Sequence, residues 1–235
     1  MLNTKQTIVI VVVVALMAAL LARPIKGLVT EDKESTSAAA DTSSAYTLSA
    51  VSEITKQSIN PSLAEEITDL ESKVQASSGE EKLSLLQQLA DKWEDLAKTA
   101  PQGFIYEEMA KISPKFDYWL KAGNAYRVSY TNLQDTSMAR ALTDNAMRAY
   151  QKASDLDANN LDAKTGLGAA MVSGTSNPMA GIALLREVVA KEPKNLEANK
   201  TLGLFSLQSR QFDKAVERFK TVVEIKPDAE AYFYL

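Results

Sequence analysis

The chain has 235 residues, of which 46% are hydrophobic and 24% are charged, enough for one medium-sized domain with additional segments. A net charge of -4 argues against a nucleic-acid partner, because phosphate binding needs a concentrated basic surface. The chain contains neither cysteine nor histidine, which excludes disulfides, Ser-His and Cys-His nucleophiles and nearly all zinc and iron sites. The composition therefore predicts no metal and no cofactor, and it leaves only enzymes built on carboxylates, lysine or tyrosine.

An unbroken apolar run, Ile8–Ala22, lies between Lys5 and Arg23 near the amino terminus. As a helix it would be roughly 22 Å long, and a snorkelling Arg23 extends it toward the thickness of a bilayer. We interpret residues 7–25 as a single transmembrane anchor behind a short flank, residues 1–6. The alternatives are a cleaved signal peptide and a buried soluble helix. Arg23 and a proline follow the run without a small-x-small triplet, which favours an uncleaved anchor.

Two signals disagree about the orientation of this anchor. Lys5 precedes the apolar run, whereas Arg23, Lys26 and Lys33 follow it, so a positive-inside count favours a cytoplasmic domain. A short amino-terminal signal anchor, however, usually leaves the large domain outside, and a chain without cysteine suits an oxidising compartment. We expect a single-pass protein of the cell (inner) membrane with its folded domain on the extracytoplasmic, periplasmic side; the cytoplasmic side is the alternative.

Residues 26–48 are predicted to form a flexible linker. The segment is rich in serine, threonine and charged residues and offers almost nothing to bury. Such a linker would let a folded domain over residues 49–235 stand clear of the bilayer. The alternative is a loop that packs on that domain.

The first helices of this domain are predicted from capping and apolar periodicity. Ser62 and Glu65 have the spacing of a capping box behind Pro61, and an apolar stripe follows at spacings of three and four residues. A second stripe leads up to Pro101, which together with Gly103 is expected to break the helix. No strand-like alternation occurs beyond the apolar run, so the domain is predicted to be all-α.

One pattern of two helices occurs twice between residues 160 and 227. The segment Asn160-Leu161-Asp162-Ala163 recurs 35 residues later as Asn195-Leu196-Glu197-Ala198. Later positions recur after 34 residues: Leu185, Val188 and Pro193 of the first copy correspond to Phe219, Val222 and Pro227 of the second. A period of this length is typical of a solenoid, in which one helical hairpin must stack on its neighbours to bury its apolar face.

The second copy resembles the tetratricopeptide repeat (TPR) through Leu202-Gly203, Ala215, Phe219, Val222 and Pro227. Looser matches occur upstream, at Gly123, Tyr126, Ala146 and Tyr150 and again at Leu89, Trp93, Leu96 and Pro101. The resemblance implies a helical-hairpin solenoid with hairpins over about residues 61–101, 104–159, 160–195 and 196–229. Residues 230–235 would begin a further helix, which we interpret as truncated at Leu235; docking of this apolar end on another subunit is the alternative.

In this family the first helices of the hairpins line a concave groove that binds a peptide segment of a partner. The resemblance places ten residues in such a groove: Asn124, Arg127, Val128, Thr165, Ala169, Val172, Lys200, Leu204, Leu207 and Gln208. Asp162 and Glu197 occupy further positions on the same helix faces. The chaperone-binding members clamp a terminal carboxylate with polar residues, but Gly166 and Leu204 stand at two of those positions here.

The sequence offers no catalytic constellation. Three acidic pairs are expected on solvated faces in early helical turns: Glu65-Glu66, Glu80-Glu81 and Glu107-Glu108. The acidic stretch Asp155–Asp162 lacks the glycine and the closing glutamate of a calcium loop, and Gly166 does not follow a strand as a phosphate loop requires.

We therefore predict that the protein is not an enzyme. It is expected to be a membrane-anchored TPR scaffold or adaptor that mediates protein–protein interactions in the assembly or quality control of a membrane or secretion complex. A structural accessory subunit of a stable membrane protein complex is the alternative. No nucleic acid and no small-molecule substrate are expected as partners.

Overall fold

The computed structural model describes residues 46–131, 133–175, 178–227 and 229–235, which belong to one compact unit. In chain order its helices are α1 Leu48–Lys56, α2 Pro61–Ala76, α3 Gly79–Asp95, α4 Thr99–Ile112, α5 Phe116–Thr131, α6 Thr136–Leu156, α7 Leu161–Gly174, α8 Met179–Lys191, α9 Leu196–Gln208, α10 Phe212–Ile225 and α11 Ala229–Phe233. Every regular element in these ranges is an α-helix, so the all-α prediction is confirmed for the described residues.

The predicted flank 1–6, the anchor 7–25 and the linker up to residue 45 lie outside the described residues. Among the helices just named, none has both the length and the apolar content that a membrane crossing requires.

The repeated sequence between residues 160 and 227 folds as two similar helical hairpins, α7–α8 and α9–α10. Each hairpin starts with the same cap. The side-chain oxygen of Asn160 accepts a hydrogen bond from the backbone N–H of Ala163, and that of Asn195 accepts one from Ala198, both at 3.0 Å. The first helices of successive hairpins, α5, α7 and α9, contact one another side by side, as in a solenoid.

Two glycines allow the backbones of α7 and α8 to come together. A Cβ atom added at Gly181 would lie 2.5 Å from the carbonyl oxygen of Gly168, and one added at Gly168 would lie 2.9 Å from the side chain of Leu185. Any larger residue at position 181 would therefore have to push the two helices apart. This contact explains why glycine stands where the repeat pattern carries alanine.

The hydrophobic core is a row of clusters along the stacked helices. The largest cluster extends from α1 to α7 and contains the fully buried side chains of Trp93, Tyr126 and Tyr150. Smaller clusters lie around Leu185, between α8 and α9, and around Phe219, between α10 and α11. Each cluster buries the apolar faces of neighbouring helices, as expected for stacked hairpins.

The predicted helix break at Pro101 is wrong. Helix α3 ends earlier, at Asp95, because Ala97 turns the chain with a positive φ of 53° and the N–H of Lys98 donates to the carbonyl of Trp93. Pro101 instead lies in the first turn of α4, where its missing N–H has no intrahelical partner to lose. The residues from Trp93 to Pro101 thus span two helices.

The two upstream hairpins consequently have other boundaries than 61–101 and 104–159. The hairpins are α3–α4 and α5–α6, preceded by α1 and α2. The long interval from Gly123 to Ala146 comes from the 21 residues of α6. The predicted linker also ends earlier than residue 48, because Tyr46 packs on the core and Thr47 caps α1 by accepting a hydrogen bond from the N–H of Ala50.

Glu107 does not lie on a solvated face as predicted, since its side chain is only 8% exposed. It is in the middle of α4, where its carboxylate accepts a hydrogen bond from the hydroxyl of Tyr126 at 2.7 Å and pairs with Lys111 and Arg148 at 2.9 and 3.3 Å. Burial alone would raise the pKa of Glu107, but the bonds from Lys111 and Tyr126 and the charge of Arg148 hold it below its ordinary value. Glu107 therefore joins α4, α5 and α6 as a buried anion.

Candidate functional site

The helices α5, α7 and α9 line one groove of about 370 Å³. Its apolar part is formed by Ala169 and Val172 of α7 and by Leu204 and Phe205 of α9. Ala169 and Val172 are three residues apart, which brings them to one face of α7. Leu204 and Phe205 are adjacent on α9, and both border the groove. The groove therefore offers an apolar strip that crosses neighbouring repeats.

Two ion pairs connect the walls of this groove. Arg127 Nη1 of α5 lies 3.1 Å from Glu197 Oε1 of α9, and Lys200 Nζ of α9 lies 2.6 Å from Glu230 Oε2 of α11. Burial would lower the pKa of Arg127, but the adjacent Glu197 raises it above its ordinary value, so the guanidinium stays charged. Both cations of the groove are thus matched by carboxylates of the same chain.

A smaller polar compartment of about 280 Å³ continues beyond the Arg127–Glu197 pair, which borders both spaces. Asn124, Asp162 and Thr165 line this compartment. The ion pair therefore separates an apolar compartment from a polar one within the same series of helices.

The ring of Tyr150, from α6, holds α5 and α7 at the distance that shapes the polar compartment. A Cβ added at Gly166 would lie 2.3 Å from the ring, and one added at Gly123 would lie 2.8 Å from it, so the ring fills the space between both backbones. The hydroxyl of Tyr150 donates to Asn124 Oδ1 at 2.8 Å. Burial raises the pKa of Tyr150 far above its ordinary value, which keeps this hydroxyl protonated as a donor.

The structure brings together eight of the ten residues that the sequence places in the groove. Arg127, Ala169, Val172, Lys200, Leu204 and Gln208 line the apolar compartment, and Asn124 and Thr165 line the polar one. Val128 and Leu207 lie elsewhere.

Val128 lines a separate cleft with Ile54 and Met138, because consecutive residues of a helix face directions about 100° apart. Leu207 packs against the cluster around Phe219. Sequence reasoning missed two groove residues, Tyr130 and Phe205. Tyr130 lies three residues after Arg127, and Phe205 directly follows Leu204. An aromatic residue next to a predicted groove position was the available signal.

In the part of the chain that the structure describes, no group of three or more acidic side chains is close enough to hold a metal ion. The charged side chains of the apolar compartment form the two ion pairs described above. The arrangement is suited to binding an extended or helical segment of a polypeptide across several repeats.

Comparison with known proteins agrees with this geometry. A family model described as "Tetratricopeptide repeat" matches residues 177–235. Residues 177–235 therefore form a tetratricopeptide repeat segment. The match covers α8 to α11.

Solved structures share the fold of this chain. The thermophilic TPR protein TTC0263 of Thermus thermophilus superposes with a TM-score of 0.51 at 16% identity, covering 66% of this chain and 87% of that one. The MamA protein superposes with a TM-score of 0.50 at 23% identity, covering 65% of this chain and 78% of its own. Identities this low show the fold alone. No curated protein sequence matches the chain.

Proposed function

We propose that this TPR protein is a scaffold or adaptor that binds a segment of another protein in the groove formed by α5, α7 and α9. The observation that carries the proposal is the apolar strip of Ala169, Val172, Leu204 and Phe205 between two ion pairs. Val172, Leu204 and Phe205 are only partly buried, so the hydrophobic effect favours an apolar ligand that covers them. In this proposal the protein acts by binding and not by catalysis.

The cellular setting belongs to the same proposal. Residues 7–25 would anchor the protein in the cell membrane, and residues 26–45 would tether the repeats on the extracytoplasmic side. The hydrophobic run Ile8–Ala22 and the polar composition of the following segment support this arrangement. The scaffold would then serve the assembly or quality control of a membrane or secretion complex, with the cytoplasmic orientation as the alternative.

Site-specific cross-linking tests the groove. A photoreactive phenylalanine derivative is placed at Gln208, which is exposed and lines the groove, and separately at Lys220, which is exposed on α10. Irradiation of intact cells should join a partner to position 208 and not to position 220. The partner is then purified, and its affinity for the full chain is measured.

The substitution Leu204→Glu places a charge in the apolar strip and should lower the affinity for the purified partner by roughly tenfold or more. Lys220→Glu, an exposed charge change outside the groove, should leave the affinity unchanged, and circular dichroism verifies that both variants fold. Unchanged binding by folded Leu204→Glu would exclude the groove as the working surface. A partner that co-purifies at constant stoichiometry and cross-links only through position 220 would favour an accessory subunit instead.

A further inference from the structure

The two compartments of the groove differ in charge as well as in polarity. The apolar compartment holds two cations and two carboxylates, Arg127 with Glu197 and Lys200 with Glu230, and each cation is paired. The polar compartment shares the Arg127–Glu197 pair and adds Asp162. The whole groove therefore carries two cations against three carboxylates, a net charge of -1.

Asp162 is the one carboxylate of the three that is not paired with a cation of the groove. It is exposed in the first turn of α7. Among the residues that the structure describes, no cation lies within ion-pair distance of it. Its charge is thus available to a ligand in the polar compartment.

The other polar side chains of this compartment already have partners. The hydroxyl of Thr165 donates to the carbonyl of Leu161, and Asn124 accepts from Tyr150. Asn195 caps α9 through its oxygen and donates to Glu192 through its nitrogen. Asp162 is therefore the group best placed to add an interaction with a ligand.

We propose that the groove takes a polypeptide segment in which apolar side chains stand next to a lysine or arginine. The apolar side chains would lie on Val172, Leu204 and Phe205, and the basic side chain would reach past the Arg127–Glu197 pair to Asp162. This inference rests on the proposed function and specifies the partner's chemistry. An acidic segment fits less well, because its carboxylate would have to displace Glu197 or Glu230 from its cation.

Selection from a random peptide library on phage tests this proposal. The library is selected on the full 235-residue chain, and the enriched peptides are synthesised for affinity measurements. The enriched sequences should combine apolar residues with a neighbouring lysine or arginine. Leu204→Glu should abolish their binding, and Ser173→Trp, which fills the groove from an exposed position, provides a second variant if Leu204→Glu fails to fold.

The variant Asp162→Asn isolates the charge. It should lower the affinity for the selected peptides by about two- to fivefold at low salt, which is the range of an exposed ion pair. The effect at high salt should be small. The matched control is Asp213→Asn, because Asp213 has the same position in the first turn of α10 but does not line the groove. The control should bind the peptides as the unchanged chain does.

The outcomes separate this inference from the function on which it rests. If no peptide is enriched, or if the peptides bind the two groove variants as well as the unchanged chain, the groove is not a peptide site and both proposals fall. If the groove variants abolish binding but the peptides are acidic or uncharged, or Asp162→Asn has no effect, only the inference about the basic side chain is overturned.

Discussion

The hairpins of α3–α6 and those of α7–α10 use different side chains to pack their helices. The second region places matching residues at repeated positions, with Gly168 against Leu185 in one hairpin and Gly203 against Phe219 in the next. The first region relies on large aromatic side chains, Trp93 and Tyr126, and on the buried carboxylate of Glu107. Because each upstream contact is different, the first region folds as repeats without a clear repeat in its sequence.

The largest expected difference between the two regions concerns where a core deletion acts. Trp93→Ala should destabilise α2 to α6 by about 3–5 kcal/mol, because it empties a fully buried site in the large cluster. Phe219→Ala should act mainly on α9 to α11, since contacts in a solenoid reach only the neighbouring repeat. Hydrogen exchange would locate each effect. Equal protection losses throughout both regions would show one cooperative core.

The close approach of α7 and α8 provides the next test. Gly181→Leu should destabilise the protein by about 1–3 kcal/mol, because the added side chain meets the backbone of Gly168. Ala183→Leu on the same helix is the matched control, since position 183 is exposed. Urea unfolding compares the two. A Gly181→Leu variant as stable as the control would mean that the hairpin can open without cost.

The buried anion of the first region makes its stability depend on pH. Glu107→Gln should cost about 2 kcal/mol near pH 7, by removing charged hydrogen bonds to Lys111 and Arg148. The folded pKa of Glu107 lies below its unfolded value of 4.5, so its contribution is complete above that value and is lost as pH falls through the folded pKa.

Urea unfolding of both proteins near pH 7 and near pH 3 checks this dependence. The stability difference between the unchanged chain and Glu107→Gln should shrink at the lower pH. A difference that stays constant would mean that the carboxylate contributes through its shape and not through its charge.

The smallest effect concerns two helix caps, one in each region. Asn195→Ala should destabilise α9 by about 1 kcal/mol, because the Asn195 side chain caps the N–H of Ala198. Ser78 has the equivalent position before α3 but makes no capping hydrogen bond with its side chain, so Ser78→Ala should be close to neutral. Thermal unfolding measures both. An equal shift in Tm for the two variants would mean that the capping hydrogen bond of Asn195 does not stabilise α9.

The same contrast explains how much of the fold could be predicted. The helices from α7 onward follow from the repeat because Asn160 and Asn195 cap both hairpins and similar apolar positions recur. The end of α3 could not be predicted, because Ala97 adopts a positive φ without a glycine to indicate it, and the following proline pointed to the wrong position.

The candidate groove was predictable to the extent that its helices belong to the regular repeat. Ala169, Val172 and Leu204 lie in it because equivalent faces of α7 and α9 turn the same way. Val128 does not, since the register of α5 had to be inferred from a loose match. The burial of Glu107 depends on Tyr126 and Arg148 from two other helices, and no local pattern indicates such a contact.

The wedge formed by Tyr150 has a consequence for how the binding surface can change. The ring fills the space between α5 and α7, with no room for a side chain at Gly123 or Gly166. Residues on the open side, such as Ser173 and Gln208, take no part in that spacing. Substitutions there can alter which polypeptide is held while the curvature of the stack stays the same, so new specificities are accessible without refolding the scaffold.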